Sequence, residues 1–405
     1  MKYIPSPQFK YFFLGFFVFA FFISCDKDES KEAQGQPSPI VWQTDFGKIH
    51  ATTQNFIYKN LLIQGQSEKS YGGTFSIYGL TLDSGKVVWE NNDWKGDVEA
   101  DFLFDLENAV ISENILVVGG LDFILAINVE NGETIWSSTI AKGLTGIRLI
   151  DGWVYKPTHD GQGVSSLVRF DINTGTMEKL FEMTKQVEGE GKYNLLIRLP
   201  VRWTSPVGEA LFITKVIAYE NINSGGESRT DIVAYNATSD SYQWYLKEFS
   251  SEWNMQSPEI QDSLIFIKDN FNTSCLHAES GQLKWVATPD NSSYFDSNLF
   301  PFMENVIQVV QDDGTFLVIN KFSGKKSVNS NVGPISFNRF TLRNDSLWTA
   351  SSGVIVINAY SGEVLKRWNN KGKGSWNKSI VCHPEKRFVY TSDNRYVYCL
   401  DPNEM

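Results

Sequence analysis

Leu125-Ala126-Ile127-Asn128-Val129-Glu130-Asn131-Gly132-Glu133-Thr134-Ile135-Trp136 is the stretch that decides the fold. An aliphatic run ends in Asn128, Asn131-Gly132 follows, and Trp136 closes the unit. Cys275-Leu276-His277-Ala278-Glu279-Ser280-Gly281-Gln282-Leu283-Lys284-Trp285 repeats it, with His277 in the Asn position. Asn-Gly and Ser-Gly supply a residue tolerant of positive φ, as a tight β-turn requires. The flanking apolar runs suit strands covered on both faces. One such unit is therefore a β-hairpin with a Trp on its outgoing strand.

Five further copies are partial. Thr81, Gly85 and Trp89 lack the Asn or Asp, Asp171 and Gly175 lack the Trp, and Asn236 and Trp244 flank Asp240 in place of Gly. Asn320 and Gly324 lead to Val328; Asn358 and Gly362 lead to Lys366, with Trp368 nearby. Successive turn positions 85, 132, 175, 240, 281, 324 and 362 are spaced by 47, 43, 65, 41, 43 and 38 residues. A period of that size holding several strands is what a propeller blade requires. An eighth unit is split across the termini. Tyr396-Val397-Tyr398-Cys399-Leu400-Asp401 matches the strand before the turn, and the chain ends where the turn Gly is due. Ile40-Val41-Trp42 supplies the missing outer strand with its Trp. The sequence thus predicts an all-β, eight-bladed propeller of four-stranded antiparallel blades over residues 40–405. Its last blade is closed by the N-terminal strand, which hides a sheet edge.

Composition agrees. The 405 residues are 42% hydrophobic and 14% aromatic, which excludes a disordered or collagen-like chain. A net charge of −11 argues against nucleic acid as partner, because a duplex binder needs a basic footprint. Four cysteines cannot build a disulfide scaffold. Cys382 and Cys399 fall on the first and third strands of blade eight, about 9–10 Å apart, so free buried thiols are expected. No Trp-Asp dipeptide of a WD-type repeat occurs.

The N-terminus reads as an address. Lys2 and Lys10 precede the apolar stretch Tyr11–Ile23, too short for a spanning helix and arranged like a secretory signal. Phe22-Ile23-Ser24-Cys25 resembles a bacterial lipobox, with Phe22 in the usual Leu position. The expected organisation is a signal peptide over 1–24, a lipidated Cys25 opening a flexible tether over 25–39, and the propeller. Lys27-Asp28-Glu29 resembles the acidic export signal of Bacteroidetes surface lipoproteins.

The Asn/Asp, Ser/Thr-Gly and Trp pattern resembles the PQQ-like, quinoprotein-type propeller repeat. A lipobox joined to eight such blades is similar in plan to the lipoprotein B family of the outer-membrane barrel-assembly machinery. The resemblance implies a non-catalytic, lipid-anchored scaffold at the outer membrane, on its periplasmic or cell-surface side. Its partners would be envelope or outer-membrane proteins, the ring is expected to be monomeric, and no cofactor is expected. One alternative is a surface lipoprotein binding glycan or protein. The other is a PQQ-dependent dehydrogenase with Ca²⁺. Many such enzymes carry vicinal cysteines, whereas Cys25, Cys275, Cys382 and Cys399 are scattered. His50, His159, His277 and His383 show no metal spacing, and no hydrolase or phosphate-loop motif occurs. The acidic run Asp97, Glu99, Asp101 and Asp105 reads as a solvated loop between blades.

The 65-residue spacing between Gly175 and Asp240 points to the working face. Its excess is assigned to two loops, Thr184–Asn194 and Glu220–Asp231. With Ser67–Phe75 and His159–Ser166 they emerge from one end of the ring, because consecutive strands alternate in direction. Long irregular connections in a compact repeat are more often functional. Tyr71, Tyr193, Arg198 and Arg229 are the candidate partner-binding residues, since aromatic and Arg side chains dominate interface energies. Trp42, Trp89, Trp136, Trp244 and Trp285, with Gly85, Gly132, Gly175, Gly281, Gly324 and Gly362, are assigned to the fold.

Overall fold

Each copy of the repeat folds as the hairpin between a blade's third and fourth strands. Asn128 shows how. Its side-chain Oδ1 accepts the Glu130 N–H (2.8 Å), and its carbonyl accepts the Gly132 N–H (2.8 Å). Asp171, Asn236, Asn320, Asn358 and Asp401 likewise accept backbone N–H groups two residues on. This Asx turn is the reason for the repeat's Asn or Asp. The chain then needs a left-handed residue: φ is +76° at Gly132 and +50° at Asp240, the one copy without Gly.

The computed structural model describes residues 38–47, 51–52, 55–67, 75–95, 109–140, 143, 146–160, 163–184, 193–220, 228–251, 256–269, 272–288, 297–310, 314–332, 340–350, 353–369, 380–393 and 395–404. Eight antiparallel sheets succeed one another along the chain. Blade 2 is typical, with Ala109–Ser112, Ile115–Gly119, Phe123–Asn128 and Thr134–Thr139 paired in sequence. Blade 8 takes Val381–Cys382, Val389–Ser392 and Tyr396–Leu400 from the C-terminus and Ile40–Asp45 from the N-terminus. The ring therefore closes without a covalent link. Around that closing strand, Asp401 N–H donates to Pro39 O (2.7 Å), and Arg395 pairs with Asp45 (2.6 Å). The Arg395 guanidinium holds the Asp45 carboxyl down at about 2.

Neighbouring blades are joined by one recurring contact. The indole N–H of Trp42, Trp89, Trp136, Trp244 and Trp285 donates to the carbonyl of Leu82, Val129, Ile172, Ala278 and Lys321, all at 2.8–2.9 Å. Each acceptor follows the Asn/Asp position in the next blade. The same ring covers that blade's turn Gly: a Cβ on Gly132 would lie 2.6 Å from Trp89, and one on Gly324 2.7 Å from Trp285. Gly is thus required twice over, for its positive φ and for this approach. A β-bulge immediately before the Trp turns the ring toward the neighbour, as at Ile135 between the pairs Thr134↔Ile127 and Trp136↔Ala126.

Three features differ from expectation. The Trp missing from blade 3 is replaced not at the expected spacing but two residues later. There the bulge falls between Lys179 and Phe181, and Phe181 stacks on Tyr235 of blade 4 at 4.6 Å. In blade 7, Lys366 Nζ donates to Pro402 O (2.7 Å), the carbonyl an indole would have reached. In blades 1 and 4 the first strand is interrupted, and two segments pair with one partner: Ala51–Thr52 with Phe56–Tyr58, and Asn194–Ile197 with Val201–Thr204. Those sheets hold five segments rather than four.

Cys275, Cys382 and Cys399 are free. Cys382 and Cys399 stand on the first and third strands of blade 8 with Val389–Ser392 between them, and burial pushes both thiols up, to about 11 and about 12.

Two substitutions separate the roles of the interlock. Trp285→Ala removes a buried indole and should cost about 3–5 kcal/mol. Gly324→Ala must both strain φ and displace Trp285, whereas Gly208→Ala strains φ alone, since no atom lies within 4 Å of its Cβ position. Urea midpoints should fall clearly further for Gly324→Ala than for Gly208→Ala.

Candidate functional site

Blade 4 has the longest strands, Ala210–Tyr219, Ser228–Asn236 and Ser241–Ser250. Near their outer end the ladder breaks. Thr230 pairs with Ser250 and Ile232 with Leu246, so Lys247, Glu248 and Phe249 stand opposite Asp231 alone. Glu248 adopts φ +55°, a strained conformation for a residue with a side chain. The buried Asp231 carboxylate holds this bulge: Oδ1 accepts the Glu248 N–H (2.7 Å) and Oδ2 accepts the Tyr245 hydroxyl (2.6 Å). Burial and the adjoining Asp231 charge push the Tyr245 phenol up.

Arg229 completes the cluster. Its Nε lies 3.4 Å from Asp231 Oδ1, its Nη1 3.5 Å from Glu248 Oε1, and its guanidinium 5.0 Å above the Tyr193 ring. Tyr193 opens blade 4 and Arg229 lies in its third strand, so the fold brings together two residues 36 positions apart. The stacked guanidinium is held in place by a carboxylate on one side and an aromatic face on the other. That is a preorganised side chain, ordered before any partner arrives.

The connections Ser67–Phe75, His159–Ser165, Met183–Asn194 and Tyr219–Ser228 all leave from this end of the ring, because paired strands alternate in direction. The excess length of the blade 3 to blade 4 unit is therefore only partly loop. Ser228–Asn236 is strand, so Arg229 and Asp231 belong to the sheet and not to a loop Glu220–Asp231.

The other predicted residues separate. Arg198 is 9% exposed and lengthens the first strand of blade 4, its N–H donating to Lys215 O (2.9 Å). It is a buried residue and not an exposed anchor. Tyr71, Cys25 with the segment 1–37, and the acidic run Asp97–Asp105 lie outside the described residues.

Three lysines buried within strands escaped the sequence reading. Lys156, Lys215 and Lys268 stand in the second strands of blades 3, 4 and 5 near the same end. Lys215 Nζ donates to Lys268 O (2.6 Å), and burial pushes Lys156 down to about 7. A lysine inside an apolar strand, as in Leu264-Ile265-Phe266-Ile267-Lys268, was the available signal. On the ring's inner side Arg148 of blade 3 reaches past blade 4 to Pro258 O (3.1 Å) and Glu259 (3.1 Å) of blade 5. Among the described residues no group of three or more His, Cys, Asp or Glu could hold a metal ion.

Residues 49–179 match the family of the outer membrane protein assembly factor BamB. That span contains two of the interblade contacts, Trp89 over Gly132 and Trp136 over Gly175. BamB from Moraxella catarrhalis superposes with a TM-score of 0.57 at 13% identity, over 90% of this chain and 100% of that one. The quinohemoprotein alcohol dehydrogenase ADHIIG from Pseudomonas putida HK5 gives 0.59 at 10% identity, over 90% and 76%. Sqt1 of Saccharomyces cerevisiae gives 0.60 at 10% identity, over 90% and 99%. At such identities the likeness shows the fold alone, which scaffolds and enzymes share. No curated protein sequence matches the chain.

Two variants probe this end. Asp231→Ala takes the nearer carboxylate from half-buried Arg229, leaves the Tyr245 hydroxyl and the Glu248 N–H without their acceptor, and should cost about 1–3 kcal/mol. Lys156→Met should stabilise the protein at neutral and acid pH. The folded state holds the Lys156 proton less tightly than the unfolded state, so wild-type stability rises with pH above about 7. The advantage of the methionine variant therefore shrinks between about 7 and the ordinary lysine value of 10.5, as melting curves across that range would show.

Proposed function

We propose that this protein is a non-catalytic scaffold that binds envelope proteins during outer-membrane assembly, tethered to the membrane through a lipidated Cys25. The match of residues 49–179, spanning blades 1 to 3, to the BamB family carries the reading. A rigid ring with long connections gathered at one end suits it, because a scaffold must hold its contact residues still while a partner docks. Arg229 and Tyr193 are the proposed anchors. The likeness to a quinohemoprotein alcohol dehydrogenase is one of fold alone and does not carry the quinoprotein reading.

Crosslinking in native membranes, read by mass spectrometry, tests the partner class: outer-membrane barrel proteins are expected, and glycan transporters in their place would overturn the assembly role. Replacing 221–227 by a tight turn should leave the melting temperature unchanged and lower partner recovery at least tenfold, about 1.4 kcal/mol. Cys25→Ser should leave the propeller folded and move it from the membrane fraction to the soluble one. Retention with detergent would count against the anchor.

A further inference from the structure

The opposite end of the ring carries the short turns between first and second strands and between third and fourth strands. These turns are mostly polar, and at three junctions they tie one blade to the next by charge. Lys59 of blade 1 pairs with Glu130 of blade 2, Asp262 of blade 5 with Lys321 of blade 6 (2.9 Å), and Lys386 of blade 8 with Asp83 of blade 1 (2.9 Å). Blades 6 and 7 break the rule. The residue two past the Asn/Asp position is Asp83, Glu130, Asn173, Thr238, Glu279 and Asn403 in six blades, but Phe322 in blade 6 and Tyr360 in blade 7. The left-handed turn residue that is Lys59, Glu113, Asp151, Asp262 or Asn344 elsewhere is Met303 in blade 6, with φ +52°. Phe322 is 49% exposed, Met303 56% and Tyr360 39%.

Met303 and Tyr360 touch across the blade 6 and blade 7 junction, and Phe322 stands on the neighbouring turn of blade 6. The Tyr360 hydroxyl donates to Met303 Sδ (2.9 Å), taking the place of an interblade ion pair. Lys321 N–H donates to Glu304 O (2.9 Å), which lashes the Phe322 turn to the Met303 turn. Nothing in the fold requires an exposed Phe here, since the position supports the turn through its backbone alone.

The charge around Phe322 indicates what covers it. Lys321-Phe322-Ser323-Gly324-Lys325-Lys326 holds three lysines and no acid, in a chain of net charge −11. The ammonium groups of Lys284 and Lys321 lie 5.7 and 5.0 Å from the Phe322 ring. Lys321 is spent on Asp262, but Lys284 and Lys325 are exposed and have no carboxylate partner among the described residues. Glu304 and Glu363 flank Met303 and Tyr360 in the chain, and Asp345 faces the Tyr360 hydroxyl, so the cationic side of these turns is the Phe322 side. We infer that the Phe322 turn of blade 6 docks an acidic peptide segment, which lays an apolar side chain on the exposed Phe322 ring and pairs its carboxylates with Lys284 and Lys325. Apolar anchors surrounded by complementary charge are the usual means of binding such segments. The site lies at the other end of the ring from Arg229, so it stands or falls independently of the partner contact proposed for blade 4.

A phage-displayed library of random twelve-residue peptides, selected on the full chain in detergent, tests this. Enriched peptides should be net acidic with at least one Phe, Trp, Leu or Ile. They should bind Phe322→Ser and Lys325→Glu at least tenfold more weakly, and Asn173→Ser, the equivalent turn of blade 3, unchanged. Matching melting temperatures would exclude misfolding of these surface variants. Enrichment of basic or neutral peptides, equal binding to the variants, or no enrichment would overturn the inference. A concentration-dependent dimer in sedimentation that Phe322→Ser abolishes would also overturn it, by making a second copy the occupant.

Discussion

The contact on which the rest of this structure depends is the indole of one blade against the glycine turn of the next. It combines a large apolar area, a directed hydrogen bond to a fixed carbonyl, and a close approach that no side chain but hydrogen permits. A four-stranded sheet alone has two faces to cover, and in a ring each face is covered by a neighbour. The interlock sets how neighbours meet. Because it recurs from blade to blade, small errors of angle cannot accumulate, and the eighth blade arrives where Ile40–Asp45 can complete it. Trp42 then repeats across the closing blade the bond that Trp89 makes further along.

The replacements show what the position demands. Phe181 keeps the apolar area and gives up the hydrogen bond; Lys366 keeps the donor and gives up the ring. Both still follow a β-bulge, which is the common element. Bulging the outer strand turns one side chain out of the pleat toward the next blade, and any residue that can fill or bond there will serve.

Two irregular places stand out against this regular frame. In blade 4 a three-residue bulge is held at positive φ by a buried carboxylate, and that carboxylate also sets an Arg against a Tyr. In blades 6 and 7, apolar side chains occupy turns that elsewhere carry charge. Neither feature serves the ring, whose closure needs only the interlock, and each involves some cost: strain at Glu248, exposed hydrophobic area at Phe322. Local departures that a fold does not need are where binding is most reasonably sought.

The repeat was legible because its constraints are local. An Asx turn, a left-handed Gly and a Trp four residues later depend on neighbours in the chain, so Asn128-to-Trp136 determined the hairpin, the blade count and even the split eighth blade. Tyr193 and Arg229 stood out in the sequence only as residue types near a long spacing, and Cys25 only as the end of a lipobox-like run. Tertiary structure alone decided that Phe181 rather than Lys179 meets blade 4, that Lys366 reaches Pro402 and that Arg198 is buried. It also decided that Asp231 and Arg229 meet Glu248 and Tyr193, and that three lysines lie inside the sheets. The contacts of Phe181, Lys366 and Asp231 depend on where a bulge shifts register, and one residue of shift exchanges the two faces of a strand. Spacing along the chain does not record that shift, which is set by which side chain best fills the gap between blades.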